Sequence, residues 1–417
     1  MSCNAWKEYT IEELCSVIDS LHKSPKYVEY GYPIIRVKDM NEGFLKFENP
    51  AFVTKEVYEE FSKKHKPKKG DMLFSRVGSY GITTFVDKDV EFCLGQNTVV
   101  MTDYKYKIIN NRFMYYMMIS DIVKEQIEML VTGSTQKTIS MKSIKSIKIP
   151  TPSIEEQEKI ANILSSLDDK IQLNNEMNKT LEDMAQNIFK RWFVDFEFPS
   201  GDGEHYKSNG GEMVDSELGM IPKEWEVKSI GDIGNVITGK TPSSKVEGSY
   251  GDECNFITPR DITSSPIIID TERKLSSIGI NNLKKNLVCK NSIGVSCIGS
   301  NLGEVYITGE NSITNQQINT LVLKEGKIYP YVYIYLKNMK EGFLNMASGS
   351  AVPIINKTSF SGINILMPDM YILNKFVQST TCYFERIEEN LKENESLIEL
   401  KDNLLPKLMS GEINTVK

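Results

Sequence analysis

Two short motifs contain residue types that could do chemistry on DNA. Asn49-Pro50-Ala51-Phe52 comes close to the Asn-Pro-Pro-Phe/Tyr loop of adenine methyltransferases, and Glu272-Arg273-Lys274 is of the kind that helps to hold metal in some nucleases. The first motif works only beside a cofactor-binding domain whose Gly-rich turn follows a strand, and the sequence contains no such turn. The second lacks a companion aspartate at a convincing place. We interpret the first motif as turn residues and the second as too weak a match, so neither is expected to have a catalytic role.

The histidines and cysteines form no pattern that indicates catalysis or metal binding. His22, His65 and His205 each stand alone among polar residues, and the seven cysteines contain no C-x-x-C pair. Neither a zinc site nor a catalytic triad can be assembled from them, and reduced thiols are expected. Residues 234–241 match the pattern G-x-x-x-x-G-K-[ST], but Pro242 and the Ser- and Gly-rich residues after it give no helical pattern, so no P-loop is expected. The sequence predicts a chain without a catalytic site, metal site or bound cofactor of its own.

Length and charge bound the organisation of the chain. The 417 residues are too many for one ordinary core, so two or three domains are expected. No run of apolar residues is long enough to span a membrane and the start lacks a signal peptide, so we expect a cytoplasmic protein. The net charge is -7, but the acid is concentrated in residues 153–220 and 369–417, while residues 1–152 and 221–368 are mildly basic. Such an excess is compatible with DNA contact without requiring it.

An internal repeat is the main feature that organises the sequence. Residues 133–181 align without a gap with residues 349–397, with Ile139 matching Ile355 and Pro152 matching Pro368. The match continues upstream, where three segments resemble later ones: 35–39 with 257–261, 75–79 with 296–300, and 97–100 with 319–322. The chain is therefore one module written twice.

Each module has an α+β part followed by a helical part. Residues 1–152 and 221–368 hold short β-rich runs, residues 153–198 and 369–417 have helical patterns, and the glycine-rich residues 199–220 are predicted to be a flexible linker. In the first module we predict strands at 72–75, 82–86, 98–101 and 144–149, and a helix at 113–130.

The helical parts carry apolar residues at alternating spacings of four and three, which is the pattern of a coiled-coil seam. The seam positions are Ile160, Leu164, Leu167, Ile171, Asn174, Asn178, Leu181, Ala185, Ile188 and Trp192 in the first copy, and Phe376, Thr380, Tyr383, Ile387, Asn390, Asn394, Leu397, Lys401, Leu404 and Leu408 in the second. At about 1.5 Å per residue the helices would be about 50–60 Å long.

Two consecutive seam positions are asparagine in both copies, and two interpretations are open. In one, the helix is rotated so that Met177 takes the seam and the asparagines face water. In the other, the asparagines are buried and fix the register of an antiparallel pair. The second interpretation pairs Asn174 with Asn394 and Asn178 with Asn390, because both pairs have the same sum of residue numbers.

Three loops recur in both α+β parts, at residues 75–81, 96–97 and 133–137 of the first copy; the first and third contain glycines, and the second supplies amide side chains. Such loops can bring backbone N–H groups close to a phosphate, and their amide side chains suit the N6 and N7 edge of adenine. Each loop alone is more typical of a turn, but the recurrence of shared glycines with divergent side chains favours recognition. The candidate DNA contacts are Arg36, Lys38, Ser75, Arg76, Ser79, Tyr80, Gln96, Asn97, Ser134, Gln136, Lys137, Arg260, Ser300, Asn301, Gln316, Gln317 and Ser350.

Three segments together make the chain resemble the specificity subunits of type I restriction–modification systems. They are the Gly-Ser-x-x-x-x-Ile … Pro-x-x-x-x-Gln-x-x-Ile-Ala-x-Ile-Leu pattern at residues 133–164, the aromatic run at 188–196 and the Leu-Leu-Pro-Lys-Leu run at 404–413. The second copy departs from this pattern, since Asp369-Met370-Tyr371-Ile372-Leu373-Asn374 replaces the Gln-containing start of the helix.

The resemblance implies an α+β chain built by tandem duplication of an α/β target-recognition domain followed by a long helix, with the two helices forming an antiparallel coiled coil. It implies that the chain reads a bipartite, asymmetric site in double-stranded DNA without catalysing a reaction. It also implies as partners two copies of a modification subunit, which methylates adenine, and a restriction (motor-nuclease) subunit. S-adenosylmethionine, ATP and Mg are expected only on those subunits. The alternatives are a two-headed protein scaffold without DNA contact and a self-sufficient DNA methyltransferase or nuclease.

Overall fold

A computed structural model describes residues 6–47, 49–133, 136–199, 203–347 and 353–413. The chain forms two compact units. The first unit consists of Met1–Ile171 with Glu395–Lys417, and the second of Gln172–Asn394. Each unit therefore contains one copy of the α+β part together with segments of both long helices.

The first unit is built from short strands and short helices that precede the first long helix. The strands are β1 (Lys7–Thr10), β2 (Ser16–Asp19), β3 (Tyr32–Ile35), β4 (Gly43–Phe44), β5 (Ala51–Val53), β6 (Met72–Ser75), β7 (Thr83–Phe85), β8 (Cys93–Leu94), β9 (Thr98–Thr102) and β10 (Lys148–Thr151). The helices are α1 (Ile11–Leu14), α2 (Lys55–Phe61), α3 (Asn111–Ile119), α4 (Asp121–Leu130), α5 (Met141–Ser146) and the long α6 (Ile154–Phe189).

The second unit repeats this sequence of elements with a few more strands. Its strands are β11 (Met213–Ser216), β12 (Gly219–Pro222), β13 (Glu226–Ser229), β14 (Gly234–Thr238), β15 (Tyr250–Gly251), β16 (Cys254–Ile257), β17 (Ile267–Ile268), β18 (Lys274–Leu275), β19 (Leu287–Val288), β20 (Ile293–Ser296), β21 (Val305–Thr308), β22 (Ser312–Thr314), β23 (Ile318–Leu323) and β24 (Asn364–Met367). Its helices are α7 (Ile230–Ile233), α8 (Ser277–Asn282), α9 (Tyr329–Lys337), α10 (Lys340–Met346), α11 (Lys357–Ser361) and the long α12 (Met370–Met409).

The main sheets of the two units have the same topology. The strand orders are β2-β9-β6-β7-β4 and β14-β23-β20-β21-β17, and in both sheets only the last pairing is parallel. A smaller sheet, with orders β5-β3-β8 and β15-β18-β16-β22-β19, lies in each unit, and so does an antiparallel strand pair, β1-β10 or β13-β24. The α+β fold and the tandem duplication predicted from the sequence are therefore confirmed.

The strand ladders correct one detail of the sequence repeat. Ser75 pairs with Thr98 in the first unit and Ser296 pairs with Ile318 in the second. Thr98 therefore corresponds to Ile318. The alignment of residues 97–100 with 319–322 had matched it with Thr320 instead. A shift of two residues leaves the same strand face towards the core, so hydrophobic patterning could not reveal the error.

Two predicted elements of the first unit differ from the structure. Residues 144–149, predicted as a strand, belong to α5 and β10, because Ser140 caps a helix by accepting the Ser143 N–H at 3.0 Å. The predicted helix 113–130 is two helices, α3 and α4, because the backbone of Ser120 is extended and its hydroxyl donates to the Met117 carbonyl. The helical spacing of apolar residues continues through Ser120, so the sequence pattern could not reveal that the helix is interrupted there.

The glycine-rich segment 199–220, predicted to be a flexible linker, contains a β-hairpin in its described part. Strand β11 pairs with β12, and Phe198 stacks on both Tyr206 and Trp225 with ring centroids 4.6 and 4.9 Å apart. These aromatic contacts bury Phe198 and Trp225 in the core of the second unit. Aromatic packing therefore orders a segment whose glycine content favours disorder.

The two long helices bury the residues that the seam predicts. Helix α6 continues as a π-helix over Lys190–Val194, and all twenty predicted seam positions of α6 and α12 are buried or half-buried. In the first unit, Ile160 and Leu164 of α6 and Leu408 of α12 belong to one core. In the second unit, Phe189 of α6 and Phe376 of α12 do the same.

The four seam asparagines are buried and paired. Asn174 donates its amide to Asn394 Oδ1 at 2.9 Å, and Asn390 donates to Asn178 Oδ1 at 2.8 Å. Their relative exposure is 0, 6, 1 and 6% for Asn174, Asn178, Asn390 and Asn394, so the alternative in which they face water does not hold. Residue numbers rise on one helix as they fall on the other, so the helices are antiparallel.

The two copies attach their long helices to their domains by different chemistry. In the first copy the buried Gln157 amide donates to the carbonyls of Ile108 and Pro152, at 2.8 and 2.9 Å. At the matching position the second copy has Leu373, also fully buried, and Asp369 caps the helix by accepting the N–H of Tyr371 at 2.9 Å. The departure noted in the sequence thus exchanges a polar anchor for an apolar one.

We expect Asn178→Leu alone to lower the free energy of unfolding by about 1–3 kcal/mol, because it leaves the buried Asn390 amide without an acceptor. Replacing both residues by leucine removes this cost, and leucine at all four positions is expected to raise thermal stability while relaxing the register. A double-mutant cycle from denaturant unfolding measures the coupling of the pair. Additive single effects would contradict a paired role.

Candidate nucleic-acid interface

Three loops meet at one end of the main sheet in each unit. In the first unit, residues 75–81 are named loop A, 95–98 loop B and 136–139 loop C; in the second unit, 296–303, 315–318 and 353–355 are named loops A2, B2 and C2. Each strand of the sheet that leads into these loops is short and buried, so its side chains are held by the core and the loops project from a rigid base.

Backbone hydrogen bonds fasten the three loops of the first unit together. The Arg76 N–H donates to the Asn97 carbonyl at 2.9 Å, and the Ile139 N–H donates to the Arg76 carbonyl at 3.0 Å. The Gly78 N–H donates to the Lys137 carbonyl at 3.1 Å. We name this arrangement the loop junction. It joins segments that are far apart in sequence into one surface.

The second unit has the same loop junction made by different residues. The Cys297 N–H donates to the Gln317 carbonyl at 2.7 Å, the Ile355 N–H to the Cys297 carbonyl at 2.9 Å, and the Gly299 N–H to the Pro353 carbonyl at 3.3 Å. Gly299 has φ of 89° and its counterpart Gly78 has φ of 76°, a backbone conformation that side chains with a Cβ rarely adopt. The shared glycines of the sequence repeat are therefore required by the turn.

Side chains hold the junction by an ion pair in one unit and by neutral groups in the other. In the first unit, Arg76 Nη1 lies 2.5 Å from Asp19 Oδ2, and Arg76 Nε donates to the Ile139 carbonyl at 3.3 Å. In the second unit, Asn319 Nδ2 donates to the matching Ile355 carbonyl at 3.3 Å and Thr238 donates to Asn319 Oδ1 at 2.7 Å. The two junctions thus have the same backbone hydrogen bonds, but different side chains stabilise them.

Two predicted DNA contacts of loop A serve the protein itself. Ser75 is fully buried, where its hydroxyl donates to the Ser79 carbonyl at 2.6 Å and accepts the Ile82 N–H at 2.9 Å. Arg76 is bound to Asp19, with 13% of its side chain exposed. Ser75 cannot reach DNA, and Arg76 has a structural role that its sequence position did not reveal, because Asp19 lies far away in the chain.

The other loop residues of the first unit line the surface. Ser79, Gln136 and Lys137 are exposed, and Gln96 and Asn97 are half-buried, with Asn97 at a φ of 65°. The Tyr80 hydroxyl donates to Glu128 Oε1 at 2.9 Å and accepts from Lys137 Nζ at 3.2 Å. This hydrogen bond raises the pKa of Lys137, which stays charged. Ser134 lies outside the described residues.

In the second unit, the predicted residues of loops A2 and B2 are also at the surface. Ser300, Asn301 and Gln316 are exposed and Gln317 is half-buried. The Asn301 amide donates to the Pro259 carbonyl at 3.1 Å, while the Gln316 side chain accepts from Thr241 at 2.5 Å. Ser350 lies outside the described residues. Among the loop candidates that the structure describes, all except the buried Ser75 and the Asp19-bound Arg76 are therefore half-buried or exposed at the surface of their unit.

The remaining candidates lie on a turn beside loop B and its counterpart. Arg36 is bound to Asp39 at 2.6 Å, and it also packs over the Tyr27 ring. The hydrogen bonds that its guanidinium donates to the Asp39 carboxylate raise the pKa of Arg36. Lys38 and Arg260 are exposed.

Sequence reasoning missed a basic segment that follows α2. Residues 63–69 contain five lysines, all exposed, with the backbone fixed by the buried Pro67 and by a 2.6 Å contact between His65 and Asp71. Lys64 Nζ donates to the Asp19 carbonyl at 3.2 Å, next to the loop junction. Asn286 makes the matching bond to the Thr238 carbonyl at 2.9 Å in the second unit. A lysine-rich window of seven residues was the signal that could have found it.

The two motifs considered for catalysis in the sequence, at residues 49–52 and 272–274, include residues that take part in a strand and in an ion pair. Ala51–Val53 is strand β5 of the small sheet, and Lys274 forms an ion pair with Asp270 at 2.7 Å. Within the described ranges, no three His, Cys, Asp or Glu residues converge as metal ligands would. Burial raises the pKa of the Cys15 and Cys93 thiols to about 12, so these thiols stay protonated.

No helix in the part of the chain that the structure describes is both long and apolar enough to cross a membrane.

Comparisons with known proteins agree with this arrangement. A family model described as the type I restriction modification DNA specificity domain matches residues 4–183 and 222–396. The HindI specificity subunit of a type I restriction enzyme from Haemophilus influenzae is 31% identical over 401 residues, which cover 83% of this chain and 87% of the relative. The MjaIX specificity subunit from Methanocaldococcus jannaschii is 26% identical over 98% of this chain and 93% of the relative.

A crystal structure of the S subunit of a type I restriction–modification system from M. genitalium has a similar fold. It superposes with a TM-score of 0.58 at 19% identity and covers 98% of this chain and 97% of that one. The two matches of the family model coincide with the two repeated modules of the fold. The chain belongs to the family of type I restriction–modification DNA specificity domains, of which it carries two copies.

Proposed function

We propose that this chain is the DNA-reading subunit of a type I restriction–modification complex, in which each unit reads one half of a bipartite, asymmetric site. The observation that carries the proposal is the loop junction. Its backbone geometry is the same in both units, while the side chains that it exposes differ. A shared scaffold with divergent exposed residues suits a protein that places two different readers on DNA in the same way.

The exposed residues differ in kind as well as in identity. The first unit exposes Gln136 and Lys137 from loop C, whereas the second exposes Asn301 and Gln316 from loops A2 and B2. Amide and lysine side chains can recognise base edges in the major groove, amides preferring adenine and lysine preferring guanine. The two units therefore read different sequences, and the site is asymmetric.

The paired helices bind the partner subunits in this proposal. Both helices expose apolar side chains that the chain itself leaves in contact with solvent, such as Leu173 and Met184 of α6 and Tyr371 and Leu400 of α12, each at least 43% exposed. Apolar residues exposed along a helix are typical of a protein interface. Two copies of a modification subunit bind there, and a restriction subunit joins them.

Methyl transfer and DNA cleavage belong to those partners. S-adenosylmethionine, ATP and Mg are bound by the modification and restriction subunits, and this chain supplies sequence recognition. Its own paired carboxylates, such as Asp19 and Asp39, are used to hold loops and turns.

Single-residue variants of the exposed loop residues test the assignment of one half-site to each unit. We expect Gln136→Ala to relax the sequence of one half of the methylated site and Asn301→Ala to relax the other half, since a lost base contact removes about 1–3 kcal/mol of discrimination. The measurement is single-molecule sequencing of methylated DNA from cells that express the chain with its modification subunit.

Asn187→Ala, which removes an exposed asparagine amide from α6, is the matched control and should leave the site unchanged. Cells that lack the modification subunit should show no methylation. If both loop variants leave the site unchanged, or if one variant alters both halves, the proposal is wrong.

A further inference from the structure

The same capped turn follows the central strand of the small sheet in both units. In the first unit Asp39 Oδ2 accepts the Arg36 N–H at 3.0 Å, and in the second Asp261 Oδ2 accepts the Thr258 N–H at 2.7 Å. Each turn is closed by a second bond, from the aspartate N–H back to the carbonyl of that first residue. The turn therefore fixes the direction of the residue that precedes the aspartate.

That residue is an exposed cation in both units. Lys38 and Arg260 occupy the same place in the two turns, and neither forms an ion pair with any residue in the described ranges. Arg36, the other cation of the first turn, is neutralised by its two bonds to Asp39. Asp261 is held by N–H groups of Thr258 and Glu272, so its carboxylate points into the turn.

Both turns adjoin the loop junction. The Gly95 N–H of loop B donates to the Ile35 carbonyl at 2.8 Å, and the Asn315 N–H of loop B2 donates to the Ile257 carbonyl at 2.9 Å. In the second unit Asn301 of loop A2 also donates to the Pro259 carbonyl, the residue before Arg260. The two cations are thus placed at the edge of the surface that holds the base-reading candidates.

We propose that Lys38 and Arg260 are equivalent phosphate contacts, one in each unit, which orient the loop junction on DNA without contributing to sequence choice. This inference rests on the proposed function. A contact to phosphate carries no sequence information, so its charge and position persist where the base-reading side chains have diverged. Lysine and arginine can both bind a phosphate, so the exchange of one for the other between the two units preserves this contact.

The chain offers a matched control pair. Lys105 and Lys324 are exposed lysines that follow β9 and β23, at the opposite end of the same main sheets from loops B and B2. Their N–H groups make equivalent bonds, to the carbonyls of Leu14 and Ile233 at 2.9 and 3.0 Å. Replacing them by glutamine removes the same charge from equivalent positions that lie away from the loop junction.

The test measures DNA binding as a function of salt for the full chain assembled with its modification subunit. The probes are a duplex that contains the site found by methylation sequencing and a scrambled duplex of equal length. Lys38→Gln and Arg260→Gln should each reduce the slope of log affinity against log salt by about 0.9, and the double variant by about 1.8. When the salt concentration is raised fourfold, the affinity of each single variant should therefore fall by a factor about 3.5 times smaller than the affinity of the wild type does.

We expect the affinity for both probes to fall by the same factor and the methylated site to stay unchanged, while Lys105→Gln with Lys324→Gln leaves the slope as it is. A wild-type slope in either turn variant overturns the proposal. So does an altered base preference in the half-site read by the second unit, because it would make Arg260 a guanine reader. If wild type itself fails to prefer the site duplex, the proposed function fails instead.

Discussion

Seven residues inserted into α6 alone are expected to abolish methylation by the assembled complex, whereas matched insertions in α6 and α12 should lengthen the spacer of the DNA site. The structure pairs Asn174 with Asn394 and Asn178 with Asn390, so a single insertion shifts every contact on one side of the pairs by two turns. Matched heptads keep the seam in phase, because seven residues are its repeat.

The antiparallel pairing decides where matched insertions must lie. A heptad after Asn178 faces a heptad placed before Asn390, since these two asparagines are partners. Two such insertions add about 10.5 Å of paired helix. That length corresponds to about three base pairs at about 3.4 Å each, with the face of the DNA turning by roughly 100°. Because the recognition units have to follow that turn, some loss of activity is expected as well.

Insertions after Asn178 and after Asn394 are the matched control. They add the same number of residues to each helix, but they lie on opposite sides of the asparagine pairs and therefore break the seam on both sides. Methylation sequencing in cells distinguishes the variants by the number of unread base pairs between the half-sites. Robust methylation with an unchanged spacer in the matched variant would show that the helices hold partners but do not set the spacing.

The helix pair could be predicted from the sequence because its signal is local and repeated. Spacings of three and four residues identify the buried face of each helix, and the duplicated asparagines define the register without any knowledge of the domains. Strand β6 and the position of β9 could also be predicted, because each is a short apolar run with turn residues on either side. In all these cases one window of sequence contains the whole pattern.

The loop junction shows what such windows cannot contain. Ser75 and Ser79 are neighbouring polar residues in sequence, yet one is fully buried and the other is exposed, because the turn folds the Ser75 hydroxyl back on its own backbone. Arg76 finds its partner 57 residues away, in a strand that pairs with β9. Which polar residues of a loop are structural depends on such distant contacts, so reasoning from the sequence selected too many candidates for DNA contact.

The ion pair between Arg76 and Asp19 leads to the second large effect. Arg76→Cys is expected to lower the free energy of unfolding of the first unit by about 3–5 kcal/mol, because it leaves a carboxylate with 19% side-chain exposure without its cation. Within the described residues, Asp19 Oδ1 is buried and has no hydrogen-bond donor, and after the loss of Arg76 the side-chain contact that remains to Asp19 Oδ2 is His22 Nε2 at 3.1 Å, on an exposed side chain. Differential scanning calorimetry of the full chain measures the change.

The second unit provides the rescue for this variant. Cys297, Thr238 and Asn319 stand where the first unit has Arg76, Asp19 and Val99, and they hold the same carbonyl with neutral hydrogen bonds. The triple variant with Arg76→Cys, Asp19→Thr and Val99→Asn is therefore expected to recover most of the lost stability. A triple variant no more stable than Arg76→Cys alone would show that the two junctions are not equivalent.

The same triple variant separates the structural role of Arg76 from a role in DNA recognition. If Arg76 only holds the junction, the rescued protein keeps both halves of its methylated site, because the exposed residues of loops A, B and C are unchanged. If Arg76 also contacts DNA, the protein regains its stability but loses affinity for the half-site that the first unit reads. Since calorimetry and methylation sequencing report on the two roles independently, a stable triple variant with an intact site assigns Arg76 to the fold alone.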